Sequence, residues 1–109
     1  MSDIRLEEVP FEFNGKTYKL RCNMNVLADV QEAYDGDFSA ALSEKNTLKS
    51  SMTFLAAMLN DYADEMGWDE HFTAKQIGRQ YKRFDLPIDT IMGIVVRAIT
   101  PGETEETGN

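Results

Sequence analysis

One segment of this sequence has the spacing of apolar residues that is typical of a long amphipathic α-helix. From Thr47 to Met66, apolar side chains recur alternately four and three positions apart, at Leu48, Met52, Leu55, Leu59, Tyr62 and Met66. This spacing places them on one face of an α-helix. Further apolar residues widen that face beyond the narrow seam of two paired helices, namely Phe54, Ala56, Ala57 and Met58. The predicted helix over 47–66 therefore needs packing partners on more than one side.

A β-hairpin is predicted over residues 9–21. Two short alternating stretches flank Asn14-Gly15, a pair that supplies the positive φ angles of a type I′ turn. The alternation places four apolar side chains on one face: Phe11, Phe13, Tyr18 and Leu20. Because two strands alone are marginally stable in water, this face must pack on the helices that follow.

Helical spacing predicts three more helices, over about 24–35, 74–84 and 87–99. Asn23 or Asn25 can cap the first of them, and Gly36 is suited to the residue just after its end. Thr73 can cap the second. A short helical turn is expected over 38–42, before the long helix.

The last of these segments is apolar around most of its circumference. Pro87 suits the first turn of a helix, where its missing N–H is not needed. A helix of this kind over 87–99 must be buried on most sides, so it is either the central helix or meets another chain. A buried strand is the other interpretation, but the segment is long for one.

These elements predict an α+β fold that is mainly α-helical, with the N-terminal β-hairpin packed on a small helical bundle. The length of 109 residues is that of one domain. We expect this domain to span residues 9–100. Residues 1–8 are expected to form a flexible arm, and residues 101–109 a disordered acidic tail.

The charge balance disfavours two classes of partner. The chain carries 11 Lys and Arg against 19 Asp and Glu, a net charge of −8. Phosphate backbones and anionic lipids repel such a surface, so we expect neither nucleic acid nor a membrane as partner. Apolar runs are shorter than a membrane span, and the N-terminal residues lack the order of a signal peptide. These observations favour a cytoplasmic protein.

Few residues are suited to catalysis or metal binding. Cys22 is the one cysteine and His71 the one histidine, and a pairing of the two in space stays open. The acidic residues between Asp61 and Glu70 do not follow the spacing of a calcium loop, and zinc would need more His or Cys ligands. We therefore expect no enzymatic activity, no cofactor and no metal.

The remaining features are candidates for partner binding, although core filling by the methionines, a core cap by Trp68 and a solvated basic helix face are the commoner roles of such residues. Methionines bind varied apolar partners well; Trp68 can anchor an interface or cap the core. A basic helix face of Lys75, Arg79, Lys82 and Arg83 can dock an acidic segment, the chain's own tail included, or simply face water. The candidate partner-binding residues are Met52, Met58, Trp68, Ile91, Met92, Val95, Arg79 and Arg83. Self-association through apolar helix surface is also expected, with Ile91, Val95, Met52 and Met58 best placed for it, although burial in the core is the commoner fate of such residues.

The order of these elements resembles a known family. The hairpin sequence Phe11–Leu20 leads into small helices and a methionine-bearing long helix, and the segment Phe72–Gly78 follows. A final apolar helix then carries Val95–Ile99. Over residues 9–100, this organisation is similar to the tail assembly chaperones of long-tailed bacteriophages and related prophages.

The resemblance implies a non-enzymatic assembly factor. Members of that family bind the tape measure protein, keep it soluble and help to recruit tail tube subunits around it. They act in the cytoplasm of the bacterial host and are absent from the mature virion. The family has no catalytic residues to transfer to this chain. The alternative hypothesis is a small cytoplasmic module for protein–protein interaction, such as an antitoxin-like or regulatory adaptor.

Overall fold

The computed structural model of the chain describes residues 7–82 and 85–100. Within these residues, a two-stranded antiparallel hairpin precedes the helices, and the predicted α+β, mainly helical class is confirmed. The strands are β1 (Val9–Phe13) and β2 (Lys16–Leu20). The α-helices are α1 (Met24–Ala33), α2 (Phe38–Ala41), α3 (Thr47–Met66), α4 (Ala74–Gln80) and α5 (Ile88–Ile99). A 3-10 turn over Glu44–Asn46 leads into α3. The predicted tail over 101–109 lies outside the described residues.

The hairpin turns at Asn14 and Gly15, as predicted. Both residues have positive φ, 52° and 79°, so the strands are joined by the two-residue loop that suits their twist. Val9 pairs with Leu20 and Phe11 with Tyr18, which places the apolar side chains on one face. That face packs on the helices, and β2 lies directly against α3.

The sequence predicts where α1 begins, but it predicts only in part where this helix ends. Asn23 caps α1, its side chain accepting a 3.0 Å hydrogen bond from the N–H of Val26. The helix ends at Ala33, before the predicted residue 35. Asp35 already adopts a left-handed conformation (φ 56°), and Gly36 is a second left-handed residue (φ 88°). The N–H of Gly36 donates to the carbonyl of Gln31 at 2.9 Å, which satisfies the helix end.

The long helix α3 has the predicted bounds and is the centre of the fold. It packs against α1, α4, α5 and β2, so its middle is buried around most of its circumference. Gly67 (φ 76°) ends it, and the N–H of Trp68 donates to the carbonyl of Ala63 at 2.8 Å. The predicted apolar face is only partly buried, because Leu48 and Met66 at its ends are 46% and 48% exposed.

Helix α4 is shorter than predicted. Thr73 caps it as expected, and Gln76 completes a reciprocal capping box. The helix ends at Gln80 rather than 84, because Tyr81 is extended (φ −113°, ψ 135°). The ring of Tyr81 stacks on Phe13 of the hairpin at 6.2 Å between centroids. This long-range contact takes the chain out of the helical path; residues 83 and 84 lie outside the described part.

The segment after Pro87 is a helix and not a strand. Pro87 lies at the cap, one residue before the first helical residue. Ile91, Ile94 and Val95 of α5 are buried, and α5 packs mainly against α3. Because α3 is central, α5 lies at the edge of the bundle, and Val96 on its outer side is 51% exposed.

Candidate partner-binding groove

A groove runs along α3, between α1 on one side and α4 with the segment that joins α3 to α4 on the other. It consists of three adjoining cavities of about 400, 400 and 520 Å³. The middle cavity shares Asp29, Asn60 and His71 with the cavity at one end, and Lys49 and Ala74 with the cavity at the other. We call this continuous surface the α3 groove.

The floor of the α3 groove is made of small side chains. Thr53, Ala56 and Ala57 line its middle and are nearly buried. The hydroxyl of Thr53 donates to the carbonyl of Lys49 at 2.8 Å, so the floor has no unsatisfied hydroxyl there. Since the distance between packed helices depends on the side chains at the contact, a floor of alanines allows another chain to approach closely.

Asn60 holds one wall of the groove in place. Its side chain donates to the carbonyl of Phe72 at 2.8 Å and accepts from the N–H of Phe72 at 2.7 Å. These two bonds fasten the segment before α4 to α3. Phe72 in turn packs edge-on against Phe13, 5.2 Å between centroids. The wall is therefore tied to both α3 and the hairpin.

The substitution Asn60→Ala tests this wall. It leaves the N–H and the carbonyl of Phe72 without their side-chain partner, so we expect a stability loss of about 1–3 kcal/mol. Urea denaturation followed by circular dichroism measures it. Asn25→Ala is the matched control, because Asn25 lines the same groove and is exposed. An Asn60→Ala protein as stable as this control would contradict the assigned role.

One end of the α3 groove is basic. Lys49, Lys75 and Arg79 surround Met52, Ala74 and Gly78 there. Helices α3 and α4 lie close together at this point: a Cβ atom added to Gly78 of α4 would lie only 3.1 Å from the sulfur of Met52 in α3. The ammonium group of Lys49 lies 4.8 Å from the centre of the Tyr34 ring. This end therefore combines an apolar floor with cations at its rim.

The other end is acidic, and its carboxylates differ in their partners. Asp61 accepts from Arg21 at 3.2 Å and from the side chain of Asn23 at 2.7 Å. Within the described residues, Asp29 and Asp64 of this end form no ion pair. Partial desolvation of its carboxyl group, together with repulsion from the acidic neighbours Glu32, Asp61 and Asp64, raises the pKa of Asp29 above its usual value, although the residue is exposed. This end therefore carries negative charge that no described cation neutralises.

Arg21 accounts for two of the acids near the end of α3, Asp61 and Glu65. Besides Asp61, it pairs with Glu65 and, at 3.3 Å, with Glu8. Its guanidinium also lies 5.7 Å from the centre of the Tyr62 ring. Carboxylates at a helix C-terminus are unfavourable to the helix dipole, and this arginine compensates for them. Asp61 and Glu65 are therefore structural ion-pair partners, and Asp61 also lines the acidic end of the groove.

Two of the predicted partner-binding residues lie in the α3 groove. Met52 is half-buried on its floor, and Arg79 is exposed at its rim. Of the basic face predicted with Arg79, Lys75 also lines the groove and Lys82 is exposed. Arg83 lies outside the described residues.

Other predicted residues lie in the core. Met58, Ile91 and Val95 are fully buried, so they are not part of the surface in this fold. The spacing of apolar residues identified their helix faces but not which faces the neighbouring helices cover. Met92 is half-buried on α5 and keeps part of its side chain accessible.

Trp68 packs into an aromatic cluster beside the groove. Its ring meets Tyr18 and Tyr62 edge-on, at 5.4 and 5.7 Å between centroids. The ammonium group of Lys16 lies 4.5 Å from the ring centre and pairs with Glu70, which also accepts the hydroxyl of Tyr18. These two donors lower the pKa of Glu70. Trp68 is thus half-buried against the core.

Cys22 is shielded from solvent. The side chain is buried next to the hairpin, and burial raises the pKa of its thiol to about 11. The thiol is therefore protonated at neutral pH. His71 is exposed and lines the groove. The described residues bring together no group of His, Cys, Asp or Glu side chains placed to hold a metal ion.

Sequence reasoning missed the groove itself. The apolar spacing places Ala56 and Ala57 on a wide apolar face of α3, whereas the structure shows them as the floor of a groove between α1 and α4. Asp29 lines the groove from its acidic end to its middle, and Lys49 lines it from the basic end to the middle; neither residue belongs to a sequence motif that would mark it in advance. The one available signal was the alanine pair at the centre of a helix whose other apolar residues are mostly large.

Comparisons of the chain with protein-family models, with curated proteins and with solved structures find no match. Among the helices of the described residues, none is both long enough and apolar enough to cross a membrane.

Proposed function

We propose that this protein is a non-enzymatic phage tail assembly chaperone. In this proposal it binds the tape measure protein, keeps it soluble and helps to recruit tail tube subunits around it. It acts in the cytoplasm of the bacterial host and leaves before the virion is mature. The observation that supports the proposal best is the α3 groove, a long open surface with a floor of small side chains.

A chaperone needs surface that its own fold does not use. Neighbouring elements cover the middle of α3 on most sides, and along the groove the nearly buried Ala56 and Ala57 form a floor of small side chains between the walls. A helical client can cover this floor and remove apolar area from water. The net charge of −8 then keeps the loaded complex dispersed, because like-charged complexes repel one another.

Self-association belongs to the same proposal. With Met58, Ile91 and Val95 buried, the partly exposed Met52 and Met92 are the candidate residues that remain available for it. Val96 on the outer side of α5 adds exposed apolar surface. A client that binds many copies of a weak chaperone gains overall affinity from their number.

Co-expression with a client tests the function. We expect a fragment of the tape measure protein encoded in the same genome to stay in the supernatant, and to co-purify, when this protein is present. The reason is that apolar surface buried between the protein and the fragment stabilises the complex by about 25 cal/mol per Å². The entropy lost when the two chains dock and become ordered offsets part of this gain. An unrelated acidic protein of similar size is the control. A fragment that precipitates equally with both proteins would contradict the proposal.

A further inference from the structure

The length of the α3 groove defines the size of its occupant. Its lining runs along α3 from Lys49 at the basic end to Asp64 at the acidic end. At the rise of an α-helix, these positions lie about 22 Å apart. A second helix of about four turns fits this distance.

The surroundings favour a helix over an extended peptide. The groove is bordered by α1, α3 and α4, whose backbone groups are largely bonded within each helix. An extended peptide needs backbone partners, as at the edge of a sheet. A helix satisfies its own N–H and carbonyl groups and can therefore lie on such a surface.

The charges favour a particular order in the occupant. Asp64 lies at one end, and Lys75 and Arg79 lie at the other. Asp29 lines both the acidic end and the middle, where Glu32 of α1 adds a second carboxylate, so the negative charge extends along the α1 wall. The ends are separated by more than the Debye length of about 8 Å at physiological salt. Each end of the groove therefore interacts mainly with the charges of the occupant that lie next to it. The affinity of the occupant depends on the order of its charges along the helix as well as on its net charge.

We propose that the α3 groove binds one amphipathic helix of its client, with basic residues at one end of that helix and acidic residues at the other. The basic residues lie beside Asp29 and Asp64, and the acidic residues beside Lys75 and Arg79. Apolar side chains between them cover Ala56 and Ala57. This inference rests on the proposed function for the identity of the client, but the chemistry of the groove does not depend on it.

Two synthetic helical peptides of equal composition test the charge order. The first carries its lysines at one end and its glutamates at the other; the second alternates them along its length. Both have the same apolar face. Since surface ion pairs contribute modestly and add up, we expect the first peptide to bind about tenfold more tightly at physiological salt, where the two ends are screened from each other. Fluorescence anisotropy measures both affinities, and equal affinities would overturn the proposal.

A charge reversal in the protein locates the contact. Lys75→Glu places an acid in the first turn of α4, which the helix dipole tolerates well. We expect it to abolish the preference for the first peptide, and a third peptide with lysines at both ends to bind this variant better than the wild type. Lys19→Glu, on the exposed side of β2, is the matched control and should behave as wild type. A preference that survives Lys75→Glu would overturn the proposal.

The outcomes separate the groove from the function. Peptide binding with the expected order, but a client fragment that still precipitates, supports the groove and contradicts the chaperone. Protection of the client by Lys75→Glu as well as by wild type, without binding of either peptide, supports the chaperone and overturns the groove. If sedimentation shows that wild type dimerises and Lys75→Glu does not, a second copy of this chain is the occupant, and the client-helix proposal is overturned.

Discussion

Replacing Met58 with glutamate is expected to unfold the protein at room temperature. Met58 is fully buried in the middle of α3, where a carboxylate is cut off from water. Burying such a group costs several kcal/mol, either as a desolvated charge or through uptake of a proton. Domains of this size have only about 5–15 kcal/mol of stability in total. Far-UV circular dichroism should show the loss of the helical signal.

Met66→Glu is the matched control for this prediction. It makes the same chemical change in the same helix, but Met66 is 48% exposed. A new charge there stays hydrated and meets only the unfavourable end of the helix dipole, so we expect a loss below about 1 kcal/mol. A Met58→Glu protein that keeps the native spectrum and a cooperative thermal transition would show that the assigned burial is wrong.

Tyr18→Ala is expected to lower the free energy of unfolding by about 3–5 kcal/mol, the range for deleting a buried aromatic ring. Tyr18 is fully buried on the inner face of the hairpin. Around it, within 6.4 Å between ring centres, lie the rings of Phe13, Tyr62, Trp68 and Phe72. Removing the central ring leaves a cavity that these neighbours only partly fill. Urea denaturation followed by tryptophan fluorescence measures the change.

Tyr18→Phe separates the ring from its hydroxyl. It keeps the packing and removes only the hydrogen bond to Glu70, so we expect most of the stability to remain. If Tyr18→Phe destabilised the protein as much as Tyr18→Ala, the hydroxyl would be the main contribution, and the packing argument would be wrong. The alanine variant also loosens the contact between hairpin and helices, because Tyr18 joins β2 to the segment before α4.

Local signals predicted most of the elements. Asn14-Gly15 defined the hairpin, since few other pairs adopt positive φ at both positions. The bounds of α3 followed from its apolar spacing and from Gly67, which ends the helix in a left-handed conformation. Thr73 likewise marked the start of α4. In each case the residues that determine the structure are neighbours in sequence.

Features that depend on distant contacts were not predictable. The early end of α4 depends on the stacking of Tyr81 against Phe13, and no local pattern announces it. Helical spacing placed Met52 and Met58 on the apolar side of one helix, but only the packing of the other elements around α3 leaves Met52 accessible and buries Met58. The α3 groove has the same origin: it is the space that flanking helices leave open over two alanines.

The edge position of α5 divides the molecule into parts of unequal stability. Elements on several sides hold α3, so its amide protons exchange mainly when the whole domain unfolds. Helix α5 is held mainly on one side, by Ile91, Ile94 and Val95. It can separate from the bundle in a partial opening that leaves the hairpin, α1 and α4 in place. Such an opening uncovers a second apolar surface on α3, away from the groove.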